Sequence, residues 1–99
     1  MEVQGLSSNY IKYKNAVKGQ KYPLAFVDML LLDENIREIL KRSGNTSIRI
    51  ASKSVRCRHI LNYILKSSTQ FQGILSFSGS EAVFLSKYGF DDILVAYPE

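Results

Sequence analysis

The chain has 99 residues and a formal net charge of +4, with 45% hydrophobic and 22% charged residues, a composition typical of one folded soluble domain or part of a larger one. Its single cysteine, Cys57, excludes an internal disulfide, and no apolar run approaches the roughly 18 residues that span a bilayer. The polar residues 1–21 lack the apolar stretch of a secretory signal. We therefore expect a cytoplasmic protein with no membrane partner.

The first 21 residues differ in composition from the rest of the chain. They are mostly polar and carry the four lysines Lys12, Lys14, Lys18 and Lys21. Such a segment has little apolar surface to bury, so residues 1–21 are predicted to be flexible. The folded domain is then predicted to cover residues 22–99.

From residue 23 onward, strand and helix patterns alternate. Short apolar runs bounded by turn residues predict strands, and apolar residues at helical spacing predict helices. The predicted strands are 23–28, 47–53, 72–77 and 91–97. The predicted helices are 29–42, 56–68 and a short one that begins at an N-cap Ser80 and ends before Gly89.

This alternation predicts an α/β fold of βα units with a parallel sheet. A (β/α)₈ barrel needs about 250 residues, so the chain is expected to form only the N-terminal portion of one. A parallel strand with one bare face directly before Glu99 favours this interpretation. A compact four-stranded α/β domain is the alternative.

Lys53 is the first candidate for chemistry. In a strand over residues 48–53, Arg49, Ala51 and Lys53 share one face, with Lys53 at the C-terminal tip. Ligands of α/β folds collect at such tips, and a desolvated lysine there can form a Schiff base with pyridoxal phosphate. A solvated lysine at a strand end is the simpler alternative.

The middle of the chain is basic. No Asp or Glu occurs between Glu38 and Glu81, an interval that contains seven lysines and arginines. A small anionic ligand or a solvated basic surface explains such a segment. The chain shows no helix-turn-helix, zinc-ligand or single-strand-binding pattern, so no nucleic-acid partner is expected.

Four sequence landmarks follow one another along the chain: PLAFVD at 23–28 with a following Asn35-Ile36, the Arg49 and Lys53 pair, Glu81-Ala82-Val83, and GFDDILVAYP at 89–98. In this order they resemble the alanine racemase-like fold-type III pyridoxal phosphate enzymes. The similarity is greatest to the branch of D-threonine aldolase and D-serine dehydratase. It covers residues 23–99.

The resemblance implies that Lys53 anchors pyridoxal phosphate, that the substrate is an amino acid of D configuration, and that the parent enzyme is a homodimer. Remaining barrel strands, and a C-terminal His and Cys that bind a divalent metal in that branch, would lie beyond Glu99. Arg49 would reach towards the cofactor, unless it forms an ion pair inside the barrel. Tyr97 would project into the cofactor pocket, unless it only packs.

Other positions depart from the family pattern or have weaker assignments. Ala51 replaces a histidine, Ser54-Val55-Arg56 replaces Thr-His-Lys, and Leu30 replaces an acidic residue, so the reaction type stays open. Besides an aldolase, racemase or deaminase, a single-domain pyridoxal phosphate carrier and a non-catalytic anion- or nucleic-acid-binding module remain alternatives. Three further placements are predicted: Ser76 and Ser78 inside the barrel, Cys57 in the core and His59 at the surface.

Overall fold

A computed structural model describes the backbone of residues 3–97 and the side chains of residues 9–97. Four helices and three strands follow one another along this part of the chain. In order they are α1 (Val3–Ala16), α2 (Met29–Ser43), β1 (Ile48–Ala51), α3 (Arg58–Ser67), β2 (Phe71–Ser76), α4 (Gly79–Ser86) and β3 (Ile93–Val95).

The three strands form one parallel sheet in the order β1-β2-β3. Ile50 pairs with Ile74, and Ile74 pairs with Ile93, so one row of isoleucines crosses the sheet. Because α3 and α4 connect strands that run in the same direction, the predicted βα units and parallel pairing are confirmed. The described strands form an open sheet, and the (β/α)₈ barrel stays a prediction.

The core lies on the face of the sheet that α3 and α4 cover. Leu61 and Ile64 of α3 and Leu85 of α4 pack there with Ile50 and Ile74. On the opposite face Ala51 and Leu75 are half-buried, and Leu94 of β3 is 53% exposed. The face of the sheet that carries Ala51, Leu75 and Leu94, together with the residues that follow β1 and β2, is called the open face below.

Helix α2 is fixed at both ends by side chains. Asp28 is its N-cap and accepts hydrogen bonds from the backbone N–H groups of Leu30 and Leu31. At the other end the Gln70 side-chain amide donates to the carbonyl oxygens of Gly44 and Thr46, which ties the loop before β1 to the start of β2. These bonds set where β1 enters the sheet.

The predicted strand at 23–28 is wrong. Residues 24–28 have no ladder partner, and Phe26 and Val27 are exposed. A short apolar run meets the local requirements of a strand, but a strand also needs a neighbour that accepts and donates its backbone hydrogen bonds. The segment instead leads to the N-cap of α2.

The start of α4 differs from the sequence prediction. The N-cap of α4 is Ser78 and not Ser80, because the Ser78 hydroxyl accepts from the backbone N–H of Glu81. Gly89 does adopt a left-handed conformation, with φ of 93°, as predicted for the residue that ends this segment.

Helix α1 was not predicted, although it lies in the segment 1–21. Its Tyr13 hydroxyl donates to Asp28 at 2.7 Å, and the Tyr13 ring lies 5.2 Å from that of Phe26. A helix can still move as a unit, so the predicted flexibility of residues 1–21 stays a prediction. None of the helices in the described residues is long and apolar enough to cross a membrane.

Candidate functional site

Lys53 lies in the turn that follows β1, two residues beyond the end of the strand. The backbone N–H groups of Ser54 and Val55 both donate to the Ala51 carbonyl, so the chain reverses sharply at the C-terminal edge of the sheet. The Lys53 side chain is exposed, and its Nζ lies 5.5 Å from the centroid of the Phe77 ring. The described residues therefore do not desolvate the amine.

Phe77 and Tyr97 form an aromatic wall beside Lys53. Their rings meet edge to face with centroids 5.1 Å apart. Tyr97 is brought there because β3 continues in register, with the Ala96 N–H donating to the Ser76 carbonyl at 2.7 Å. Lys53, Phe77 and Tyr97 line one cleft of about 140 Å³ on the open face, together with small side chains of the strands. This is named the lysine cleft.

Arg49, which was predicted to share a strand face with Lys53, lies within β1 and is not part of the lysine cleft. Its guanidinium forms an ion pair with Asp92 at 2.8 Å and donates to the carbonyl oxygens of Ile74 and Asp92. Gly73 leaves the space on β2 that the guanidinium crosses. Arg49 therefore pairs with Asp92, the residue that directly precedes β3, and an ion pair is the alternative given above for this side chain.

A second cleft, of about 320 Å³, lies on the other side of the Lys53 turn and is bounded by α4. It is named the basic cleft, since Lys53, Arg56 and Arg58 all line it. Arg56 Nε donates to the Lys53 carbonyl at 3.2 Å, and Arg58 lies 3.6 Å above the centre of the Tyr88 ring. Arg58 also lies 5.8 Å from the centroid of the Phe84 ring, so both arginines have contacts that hold them at the cleft.

Glu81 in α4 links the two strand ends. Its Oε1 accepts from the Phe77 backbone N–H at 2.8 Å, from Ser52 Oγ at 2.9 Å and from Ser76 Oγ at 3.0 Å. The Phe77 N–H is the largest cause of a lowered Glu81 pKa, which the two hydroxyls and the charge of Arg56 lower further against the effect of burial.

Sequence reasoning did not identify Glu81 as a site residue. The signal was present, because Ser78 and Glu81 have the serine-to-glutamate spacing of a capping box. Ser76 was predicted to line the inside of a barrel; this is wrong, because its hydroxyl lies fully buried beneath α4 and bonds Glu81. Ser78 had the same prediction as Ser76; its hydroxyl instead accepts from the Glu81 N–H and caps α4.

The remaining candidates lie outside both clefts. Cys57 is exposed at the N-cap of α3, so its predicted core position is wrong: the helix begins one residue later and its buried stripe starts with Leu61. His59 is exposed, as predicted. Among the described residues no group of His, Cys, Asp and Glu could hold a metal ion.

The arrangement thus presents one accessible amine between an aromatic wall and two arginines. Such a set can bind a flat, anionic molecule and can react with a carbonyl group through the amine. Comparison with protein-family models, with curated proteins and with solved structures found no match to the chain. The family resemblance of the sequence motifs therefore stays a prediction.

Proposed function

We propose that the chain belongs to a pyridoxal-phosphate-dependent enzyme acting on amino acids, of the aldolase, racemase or deaminase kind, with Lys53 as the covalent anchor of the cofactor. One observation carries the proposal. Lys53 stands at the C-terminal edge of a parallel sheet, with its amine 5.5 Å from Phe77 in a cleft that Tyr97 also lines.

The residues around Lys53 suit the chemical parts of this cofactor. Phe77 and Tyr97 offer aromatic surface to a pyridine ring, and Arg56 and Arg58 supply positive charge for a phosphate in the adjoining basic cleft. Arg49 is engaged with Asp92, so we assign its role to holding the sheet together. When bound, the cofactor supplies an electron sink for bonds at the substrate's α-carbon.

The reaction itself is proposed at the level of bond class. The substrate would be an amino acid of D configuration, and either the Cα–H or the Cα–Cβ bond would break. These two outcomes are distinguished by incubating the protein and pyridoxal phosphate with D- and L-amino acids. Solvent deuterium at the α-carbon reports Cα–H cleavage, and release of an aldehyde reports Cα–Cβ cleavage.

Reductive labelling tests the anchor. Pyridoxal phosphate is added to the protein, the adduct is reduced with borohydride, and the modified peptides are mapped. We expect modification concentrated on Lys53, and none there in Lys53→Ala. Lys66→Ala is the matched control, since Lys66 is exposed on α3 away from both clefts. Equal labelling of Lys12, Lys14, Lys18 and Lys21 would contradict the proposal.

A second candidate is a module that binds anions without catalysis. The observation that favours it is the basic cleft, where three cationic side chains lie on one opening of about 320 Å³. Binding of an oligonucleotide that weakens with salt and is unchanged by Lys53→Ala would favour this function. Loss of that binding in Arg56→Ala would place it in the basic cleft.

A further inference from the structure

Glu81 makes contacts that a helix cap alone does not require. In a capping box the glutamate at the third helical position returns to the backbone N–H of the cap residue itself. Here the Ser78 hydroxyl does accept from the Glu81 N–H, but the Glu81 carboxylate accepts from Phe77, one residue earlier. It also reaches Ser52, which belongs to the turn after β1.

The two serines that bond Glu81 are shielded from water. Ser52 is 2% exposed and Ser76 is 0% exposed, and both lie where strands end and turns begin. Hydrogen bonds in such a place are little weakened by competing solvent. A single carboxylate oxygen therefore joins the turn that carries Lys53 to the residue whose ring lies beneath the Lys53 amine.

Counting donors shows why ionisation of the carboxylate strengthens this link. Each serine hydroxyl has one proton, yet Ser52 Oγ also lies 3.4 Å from the Leu75 carbonyl and Ser76 Oγ lies 2.9 Å from the Ser78 carbonyl. An ionised carboxylate is the stronger acceptor and takes both protons. With a neutral side chain that preference disappears, and the hydroxyls turn to the carbonyl oxygens.

We infer that ionised Glu81 is a positioning residue for Lys53: it holds the turns after β1 and β2 together so that the amine stays beside Phe77 and the lysine cleft keeps its shape. The charged groups that line the same space are Lys53, Arg56 and Arg58. The inference rests on the proposed function of Lys53, while the link between the two turns is measurable without any cofactor.

The first experiment measures that link in the protein alone. Backbone amide exchange of Phe77 is followed by NMR in the wild type, in Glu81→Gln and in Glu38→Gln. Glu38 is the matched control, since its carboxylate pairs with Arg42 on the exposed side of α2 and has no other ion pair or hydrogen bond among the described side chains. We expect exchange at Phe77 to rise about tenfold in Glu81→Gln alone. Equal exchange in all three proteins would overturn the inference.

The second experiment measures reductive labelling by pyridoxal phosphate, taken as the ratio of the rates at Lys53 and Lys66. We expect Glu81→Gln to lower this ratio about tenfold, and Glu38→Gln to leave it unchanged. With cyanoborohydride as the acid-stable reductant, we expect the wild-type ratio to fall as the pH is lowered through the depressed pKa of Glu81, and Glu81→Gln to lack that step. If Glu81→Gln keeps the labelling ratio of the wild type although its Phe77 amide exchanges faster, the positioning role is overturned.

The two experiments separate failure of this inference from failure of the proposed function. If the wild type does not label Lys53, the proposed function is wrong, and the Phe77 amide still tests the link between the turns. Should Glu81→Gln not fold, Ser52→Ala and Ser76→Ala each remove one donor with little change of volume. In both variants the Phe77 amide is then expected to exchange faster than in the wild type, though less so than in a protein without the carboxylate. An unchanged exchange rate in both variants overturns the inference.

Discussion

At the scale of single residues, the candidate site depends on which acceptor is bonded by each of the donors around Glu81. Glu81 accepts three hydrogen bonds at one oxygen, and its pKa is lowered chiefly by the Phe77 N–H. Two of its donors, Ser52 and Ser76, have almost no contact with water. Removing the charge would leave these hydroxyls to compete for weaker acceptors, which links the stability of the fold to the geometry of the lysine cleft.

Glu81→Gln is expected to lower the free energy of unfolding at neutral pH by about 1–3 kcal/mol, as for loss of hydrogen bonds to a charged group. Because the pKa of Glu81 is lowered by folding, its contribution is complete above about pH 5 and disappears as pH falls through the folded-state pKa. Denaturant unfolding of both proteins from pH 7 to pH 3 measures this. The difference between them should shrink in acid; a constant difference contradicts the prediction.

At the scale of elements, the junction between β2 and β3 is the tightest contact near the site. Gly73 lies opposite Asp92 and beneath the Arg49 guanidinium, and the Ile74 N–H donates to the Asp92 carbonyl at 2.9 Å. This junction sets the position of β3 and, through it, of Tyr97. The approach of three backbone and side-chain groups leaves no room for a side chain at position 73.

Gly73→Ala is therefore expected to destabilise the fold by about 1–3 kcal/mol, the usual cost of overpacking. The added Cβ would lie 2.8 Å from Arg49 and inside contact distance of the Asp92 carbonyl. Gly79→Ala is the matched control, because no atom lies within 4 Å of a Cβ at that position. Thermal unfolding measures both. Equal melting temperatures for the two variants would show that β3 does not pack as described.

At the scale of the whole molecule, α1 is the element least tied to the rest. The radius of gyration of 16.6 Å exceeds the roughly 13 Å of a compact domain of this length. Asp28 links it to α2, since it accepts from the Tyr13 hydroxyl, pairs with Lys12 at 3.6 Å and caps α2. The hydrogen bond from Tyr13 is also the largest cause of the lowered Asp28 pKa.

Tyr13→Phe should loosen α1 and leave the sheet unchanged, because it removes one bond to Asp28 while the cap of α2 remains. Hydrogen exchange measured by mass spectrometry should show faster exchange in peptides of α1 and the same rates in β2. Asp28→Ala should accelerate exchange in both α1 and the first turn of α2. Faster exchange in β2 of Tyr13→Phe would mean that α1 supports the core.

Features of the fold that depend on neighbouring residues alone were predicted from the sequence, whereas features that depend on a distant partner were not. The amphipathic pattern of 29–42 and the apolar runs at 47–53 and 72–77 predicted α2, β1 and β2 within a few residues, because each pattern is complete within its own element. The run at 23–28 has the same local composition but no hydrogen-bonding partner, so it forms no strand. Helix α1 was missed, since its weak periodicity resembles that of a polar tail.

The sequence by itself determined the alternation of strands and helices from α2 onward, the parallel pairing and the position of Lys53 just after the C-terminal end of β1, because hydrophobic periodicity and turn residues act over a few neighbouring positions. Only the tertiary structure decided that Tyr97 joins Lys53, that Arg49 pairs with Asp92, and that Glu81 binds both strand ends. The contacts of Lys53 with Tyr97, of Arg49 with Asp92 and of Glu81 with Ser52 join residues 29 to 44 positions apart, and their geometry depends on strand register and helix packing together.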